Sequence, residues 1–174
     1  MKFDSNLHHR RSIRLKGYDY SQPGAYFVTI CTFRQECVLG KVVDGTMALS
    51  PYGQIAFNFW AEIPFHFPNV EKDPFVIMPN HVHAIIVIHD TIVGAGSPRP
   101  YSRQPNLGQI VAFYKYQTAK QINVLEGSAG LTFWQRNYYD HIIRNELEWQ
   151  KIWDYIQTNP LQWREDDLFS DEIL

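Results

Sequence analysis

His81 and His83 stand two residues apart at the head of the apolar run His81-Val82-His83-Ala84-Ile85-Ile86-Val87-Ile88. Side chains alternate faces along a strand, so both imidazoles project on one side, and two imidazoles so spaced can share one cation. Before them, Phe75-Val76-Ile77-Met78 leads into Pro79-Asn80, where proline presets the first central position of a turn and asparagine suits the second. The stretch therefore reads as a β-hairpin with a metal-binding pair beside its turn. A lone histidine in a strand is more often a satisfied structural residue, so the pair needs support from elsewhere in the chain. Histidine-triad chemistry is excluded, because the next alternate position is Ile85.

A second chemical candidate lies some seventy residues later. Trp149, Ile152, Trp153 and Ile156 follow helical spacing and define a buried stripe on a helix that starts at Asn145 and ends at Pro160. At 100° per residue, Tyr155 falls roughly 110° from the centre of that stripe, and Asn159, one turn on, lies about 40° from Tyr155. A flanking tyrosine can simply cover a neighbour, yet its pairing with asparagine on one flank, together with the His-x-His strand, argues otherwise.

The elements that must position these groups alternate between strands and helices. Residues 25–33 (AYFVTICTF) are β-branched and aromatic, which favours a strand, and residues 37–43 form its return. Asp44-Gly45 is a tight-turn signal into Thr46-Met47-Ala48-Leu49. Ser50-Pro51 then opens a helix with apolar Ile55, Phe59 and Ile63 recurring four residues apart, expected to end around Pro64 to Pro68. Residues 70–78 are extended and feed the histidine hairpin. The Gly/Pro-rich stretch of about 90–106 reads as a flexible loop. A second helix from Asn106 carries Leu107, Ile110, Val111, Tyr114 and Thr118 on one side, with Lys115 and Lys120 away from that stripe, and Leu131-Thr132-Phe133-Trp134 is briefly extended.

The 174 residues suit one domain with one core. The net charge of −2 argues against an indiscriminate nucleic-acid coat protein, but the charge is unevenly spread. A basic arm (about 1–20) holds Lys2, Arg10, Arg11, Arg14 and Lys16, while an acidic tail (about 164–174) holds Glu165, Asp166, Asp167, Asp171 and Glu172. Five Trp, ten Tyr and eleven Phe suit a packed interior and also offer surfaces on which unpaired bases stack. Cys31 and Cys37 are too few for a disulfide scaffold and lack zinc-ribbon spacing, so reduced thiols are expected. The N-terminus lacks the apolar core of a signal peptide and no run approaches a membrane span, so a cytoplasmic protein is the expectation.

Taken together, these motifs resemble the single-tyrosine HUH transposases, and most closely their REP-associated branch. The resemblance rests on Tyr26-Phe27-Val28-Thr29, Met78-Pro79-Asn80-His81-Val82-His83, Trp134-Gln135-Arg136 with residues 139–144 (YDHIIR), and Tyr155-Ile156-Gln157-Thr158-Asn159-Pro160, in that order. His-hydrophobic-His alone is weakly specific, whereas its combination with Tyr-x-x-x-Asn-Pro is strongly so.

The resemblance implies an α+β, ferredoxin-like antiparallel sheet with helices packed mainly on one face, as does the strand-strand-helix-strand-strand-helix order. It implies that His81 and His83 are metal ligands and that Asn159 holds the place of a polar third ligand, often glutamine in relatives. Asparagine is shorter, which leaves room for an intervening water. Tyr155 would be the nucleophile in cleavage and rejoining of single-stranded DNA through a 5′-phosphotyrosine intermediate, with Mg2+ or Mn2+ as the usual cation. The substrate would be a strand bearing a hairpin, with Arg10, Arg11, Arg14, Lys115 and Lys120 as phosphate contacts and either a monomer or a homodimer as the active species. His141 falls in a family-typical segment without an assigned role. The rival readings are a non-enzymatic module binding single-stranded nucleic acid through its aromatics, and a small metal hydrolase using His81, His83 and water.

Overall fold

The strand that carries the first aromatic motif lies inside the main sheet. In this computed structural model, which describes residues 15, 17–90 and 105–170, β1 (Gly24–Cys31) is flanked on both sides. Arg10, Arg11 and Arg14, residues 91–104 of the Gly/Pro-rich loop and residues 171–174 of the acidic tail lie outside the described residues. After β1 come β2 (Gly40–Val43), β3 (Thr46–Leu49), α1 (Pro51–His66), β4 (Val70–Ile77) and β5 (His81–Ile88). The chain continues as α2 (Leu107–Leu125), β6 (Tyr139–Ile143), α3 (Glu146–Thr158) and a 3-10 segment, Asn159–Glu165. The main sheet has the order β4-β5-β1-β6 with every pairing antiparallel, the α+β arrangement expected from the sequence.

Alternation along the strands divides the sheet into two functionally different faces. Tyr26, Val28 and Ile30 of β1, with Val82, Ala84, Ile86 and Ile88 of β5, join Trp60 and Ile63 of α1 and Ile110 and Tyr114 of α2 in one buried apolar core. The intervening residues Phe27, Thr29 and Cys31 of β1 and His81 and His83 of β5 therefore face the opposite side, where α3 lies against β4 and β5. Two of the three α-helices thus cover the apolar face, and the third covers the histidine face.

Local chemistry explains the connections. Met78 N donates to His81 O at 2.8 Å, and Ile77 pairs with Val82, leaving Pro79-Asn80 as the two-residue loop read from the sequence. Asp44 and Gly45 have φ of 51° and 72°, the two positive values that a tight β2–β3 hairpin requires. This hairpin forms its own two-stranded sheet. Ser50 caps α1 by accepting from Gly53 N at 3.1 Å, and Asn106 and Gln109 form a reciprocal capping box at the start of α2.

α1 ends at His66, within the expected bounds, passing through Pro64, with Phe67 N donating to Ile63 O at 2.8 Å; so near the terminus, the proline removes little of the helical ladder. Its buried side runs through Gly53, Ala56, Trp60 and Ile63, with Trp60 packed between Phe75 and Tyr114 and with Ile55 and Phe59 half-buried. The α3 stripe is only partly covered: Ile156 is fully buried, whereas Trp153 is 38% exposed. β6, not read as a strand, pairs with β1 alone, and an edge strand carrying Asp140 and His141 lacks the apolar pattern of a central one. Among the described residues no helix is long and apolar enough to cross a membrane.

Candidate active site

Antiparallel register brings the first components together. His83 of β5 lies opposite Thr29 of β1, and Thr29 Oγ1 is 2.8 Å from His83 Nδ1. His81 lies opposite Cys31 at the strand end beside the turn. Both imidazoles are almost wholly buried, and burial holds each below the ordinary histidine value despite the opposing charge of Asp166; the neighbouring His83 adds to the depression at His81. Both rings are therefore neutral, the state in which imidazole binds a cation.

The turn residue Asn80 sets the orientation of His81. Its amide nitrogen donates to Leu168 O at 2.8 Å and to Gln35 O at 3.2 Å, so its carbonyl oxygen is the atom 2.7 Å from His81 Nδ1. A carbonyl only accepts, so Nδ1 carries the proton and Nε2 presents a bare lone pair. That Nε2 is buried and has no hydrogen-bond partner. His83 is less constrained, because a threonine hydroxyl both donates and accepts and so serves either tautomer.

α3 and the segment after it supply the rest. Asn145 caps α3 by accepting from Glu148 N, while Glu148 holds His141 Nε2 at 2.6 Å and Arg144 N at 2.7 Å. His141 thus ties β6 to the first turn of α3. From the last turn, Tyr155 reaches back so that its hydroxyl lies 3.0 Å from His83 Nε2 and 3.1 Å from Asp166 Oδ2. Its ring packs edge-on to Phe27 at 6.2 Å, and Phe27 in turn stacks on His83 at 5.3 Å. Asn159 is buried; its amide donates to Asp166 Oδ2 at 2.9 Å, and its carbonyl oxygen has no partner.

Asp166 joins these groups. Burial would raise its carboxyl, but the His83 ring 3.9 Å away, hydrogen bonds from Asn159 and Leu168 N, and the nearby His81 outweigh that and hold it well below the usual carboxylate range. The Tyr155 phenol moves the other way: burial and the Asp166 charge push it well above its ordinary value, with only Asn159 opposing. The phenol is thus protonated, donating to a carboxylate.

The donor set fits a divalent cation. One ligand atom each of His81, His83 and Asp166 lies within 4.8 Å of the others. Of the five buried side-chain polar atoms without a hydrogen-bond partner among the described residues, two, His81 Nε2 and Asn159 Oδ1, belong to this cluster. Two imidazoles with carboxylate and carboxamide oxygens suit Mn2+ more than Mg2+, which favours oxygen alone.

Four residues singled out from the sequence, His81, His83, Tyr155 and Asn159, therefore meet within one chain. Asp166 was missed, because it sits in an acidic run that reads as a solvated tail; its spacing after Asn159-Pro160 was the one available signal. Lys115 and Lys120 of α2 are not part of this cluster. The Lys115 ammonium is pushed down to about 8 by burial and donates to the carbonyls of Gln135, Arg136 and Asn137, pinning that loop. Lys120 is exposed.

Beside Tyr155 and His83 opens a cavity of about 490 Å3, walled by Phe27, Thr29 and Cys31 of β1, Gln135, Asn137, Tyr138 and Tyr139 before and at β6, and Asp166, Asp167 and Leu168.

No family model matches the chain. An uncharacterized protein of Haemophilus influenzae is 39% identical over 180 residues, covering 98% of each chain. The chain belongs to the same family as that protein. Among solved structures, a REP-associated tyrosine transposase bound to a REP hairpin superposes with a TM-score of 0.58 at 19% identity, over 86% of this chain and 73% of the other. The fold is that of a tyrosine transposase. A transposase-like structure from Deinococcus radiodurans is also similar, at 17% identity with a TM-score of 0.47, over 83% of this chain and 95% of the other.

Proposed function

We propose that the chain is a metal-dependent transposase and nuclease that cleaves and rejoins single-stranded DNA through Tyr155. One observation carries the reading: the Tyr155 hydroxyl stands within hydrogen-bond reach of both His83 Nε2 and Asp166 Oδ2, beside a buried His81 Nε2 that has no partner. A structural tyrosine does not call for an unpartnered imidazole nitrogen next to it.

In the proposed reaction Tyr155 Oη forms a bond to phosphorus and the P–O3′ bond breaks. The leaving oxygen keeps the electron pair and takes up a proton as a 3′-hydroxyl, while the 5′ phosphate stays on tyrosine. The phenolic proton departs along the hydrogen bond to Asp166 Oδ2 and on to solvent. A phenol of ordinary pKa ~10 costs roughly 4 kcal/mol to ionise at neutrality, and burial beside Asp166 adds to that cost. A divalent cation held by His81, His83 and Asp166, with Asn159 Oδ1 as a further oxygen, supplies Lewis acidity at the scissile phosphate and offsets the charge of the phenolate. Phe27 keeps the tyrosine and His83 rings in register. Because the phosphotyrosine stores the phosphodiester energy, a second 3′-hydroxyl can attack it and reseal DNA without ATP.

The substrate we assign is a DNA strand with a hairpin, met in the cytoplasm, by likeness to the REP-hairpin-bound transposase. Arg10, Arg11, Arg14 and Lys120 are the proposed phosphate contacts, with Lys115 acting through the loop it holds. The active species we assign is a monomer or a homodimer. The test is a labelled hairpin oligonucleotide with single-stranded flanks: a protein–DNA adduct that survives denaturation in the wild type and is absent in Tyr155→Phe supports the reaction. Product release without any adduct would favour a metal hydrolase, and retention without cleavage a binding module.

A further inference from the structure

The cavity beside Tyr155 is more than the reaction itself demands. Cleaving a phosphodiester needs a nucleophile, a cation and an open approach to phosphorus, whereas this cavity runs on past the cluster to the loop before β6. Phe27, Thr29, Tyr139 and Tyr155 line it, and so do Gln135 and Asn137, which bear carboxamides. At about 490 Å3 it falls in the range of pockets that enclose small organic ligands. Flat aromatic walls with two carboxamides, each offering a donor and an acceptor, match an unstacked base: faces for stacking and an edge for hydrogen bonding.

The rim is built to hold its shape. Gln135 N donates to Cys31 O at 2.9 Å, Phe33 N to Phe133 O at 2.8 Å, and Thr32 bridges Trp134. From below, Lys115 donates to the carbonyls of Gln135, Arg136 and Asn137. Trp134 Nε1 is anchored on Thr118 Oγ1 at 2.7 Å. Such fixing is what a recognition surface needs, because a loop already ordered loses little entropy on binding. The one thiol in the wall is inert: burial, with the charge of Asp166, pushes Cys31 up to about 11, so it adds soft apolar surface and no nucleophile.

We infer that this cavity binds the nucleobase adjoining the scissile phosphate, stacked against Tyr139 with the Phe27 ring set across it at 69° to Tyr139, and read at its edge by Gln135 and Asn137, so that these two residues set sequence preference at the cleavage point. The assignment rests on the reaction proposed above, since the phosphate at Tyr155 is what brings a base to this wall. Gln135 and Asn137 are specificity residues; neither touches the reacting atoms.

The test uses a hairpin oligonucleotide library randomised through its single-stranded flanks, with a companion set carrying an abasic nucleotide at each flanking position. In one arm, denaturation-resistant adducts of the full-length protein are sequenced; in the other, Tyr155→Phe retains strands without chemistry. The expected result is a base preference at one position bordering the cut, in both arms, with at least a tenfold loss for the abasic strand. In Gln135→Ala and Asn137→Ala, made in each background, that preference falls by at least fivefold while preferences at other positions persist. A preference at the cut that neither substitution moves, or no preference there at all, overturns the inference. An enriched base in the non-covalent arm with no adduct in the wild type upholds the pocket and sinks the tyrosine reaction instead. Melting temperatures of both alanine variants, expected within a few degrees of wild type, separate lost reading from lost folding.

Discussion

Asn80 Oδ1 lies 2.7 Å from His81 Nδ1, and that contact turns the other ring nitrogen, unprotonated, toward Asp166 and His83. The residue that makes the hairpin turn therefore also prepares a ligand. Asn80→Ala is expected to weaken Mn2+ binding by 10–100-fold, as removal of such outer partners does elsewhere. It also releases Leu168 O and Gln35 O, at a stability cost of about 1–3 kcal/mol. Manganese titration followed by electron paramagnetic resonance, on protein shown folded by circular dichroism, checks it; unchanged affinity would contradict the role given to Asn80.

Asp166 and Tyr155 are coupled through their 3.1 Å hydrogen bond. Burial comes first in raising the phenol and the Asp166 charge second, so removing that charge lowers the phenol pKa toward its ordinary value. Asp166→Asn, studied in chelator, should shift one tyrosine downward in an ultraviolet alkaline titration, a shift missing when Tyr155→Phe is added. The same variant should bind Mn2+ more weakly. An unshifted titration would mean that Asp166 does not govern the phenol.

Acid should destabilise the metal-free protein in a defined window. His81 and His83 are neutral in the fold because burial holds them below their ordinary value, while in the unfolded chain they protonate below about 6.5. Between those values the unfolded state binds more protons, so stability falls as pH drops, by at most about 1.4 kcal/mol per unit per histidine. Asp166 acts lower: its carboxyl is held below the ordinary range, so its contribution is lost only as pH falls below about 4. The melting temperature should be flat between pH 7 and about 8, where neither the histidines nor the buried Lys115 titrate, and decline from 6.5 to 5, with a shallower decline in His81→Gln. A flat profile down to pH 5 would contradict the buried neutral pair.

The lysines of α2 should separate by experiment. Lys115→Met frees three loop carbonyls and should lower the melting temperature, whereas Lys120→Ala should leave it unchanged. Neutralising Arg10, Arg11 and Arg14 should lower the slope of log affinity against log salt by about one for each phosphate that no longer meets a cationic side chain. Filter binding across a salt series measures it, and an unaltered slope would remove the arm from the interface.

How far the sequence discloses this site depends on range. The hairpin at Pro79-Asn80 and the shared face of His81 and His83 follow from turn chemistry and the two-residue period of a strand, both local. Tyr155 and Asn159 are one helical turn apart and were legible for the same reason. Asp166 was not, since three consecutive acids carry no period and only the 3-10 segment Asn159–Glu165 delivers the middle one to the histidines. β6 was missed because an edge strand is specified by its partner β1 more than by its own pattern. The covering of α3 was overestimated because helical spacing reveals which side is apolar, not how much of it another layer meets; Trp153 stays partly exposed.

The central claim is that Tyr155 becomes covalently joined to DNA. The direct measurement is peptide mass spectrometry after the wild-type protein, with Mn2+ and a hairpin oligonucleotide, is digested with nuclease and protease. The account predicts a nucleotide linked through its 5′ phosphate to the peptide containing Tyr155, together with a new free 3′-hydroxyl on the released strand. A nucleotide on any other residue, or cleaved DNA with Tyr155 unmodified throughout the time course, would contradict it.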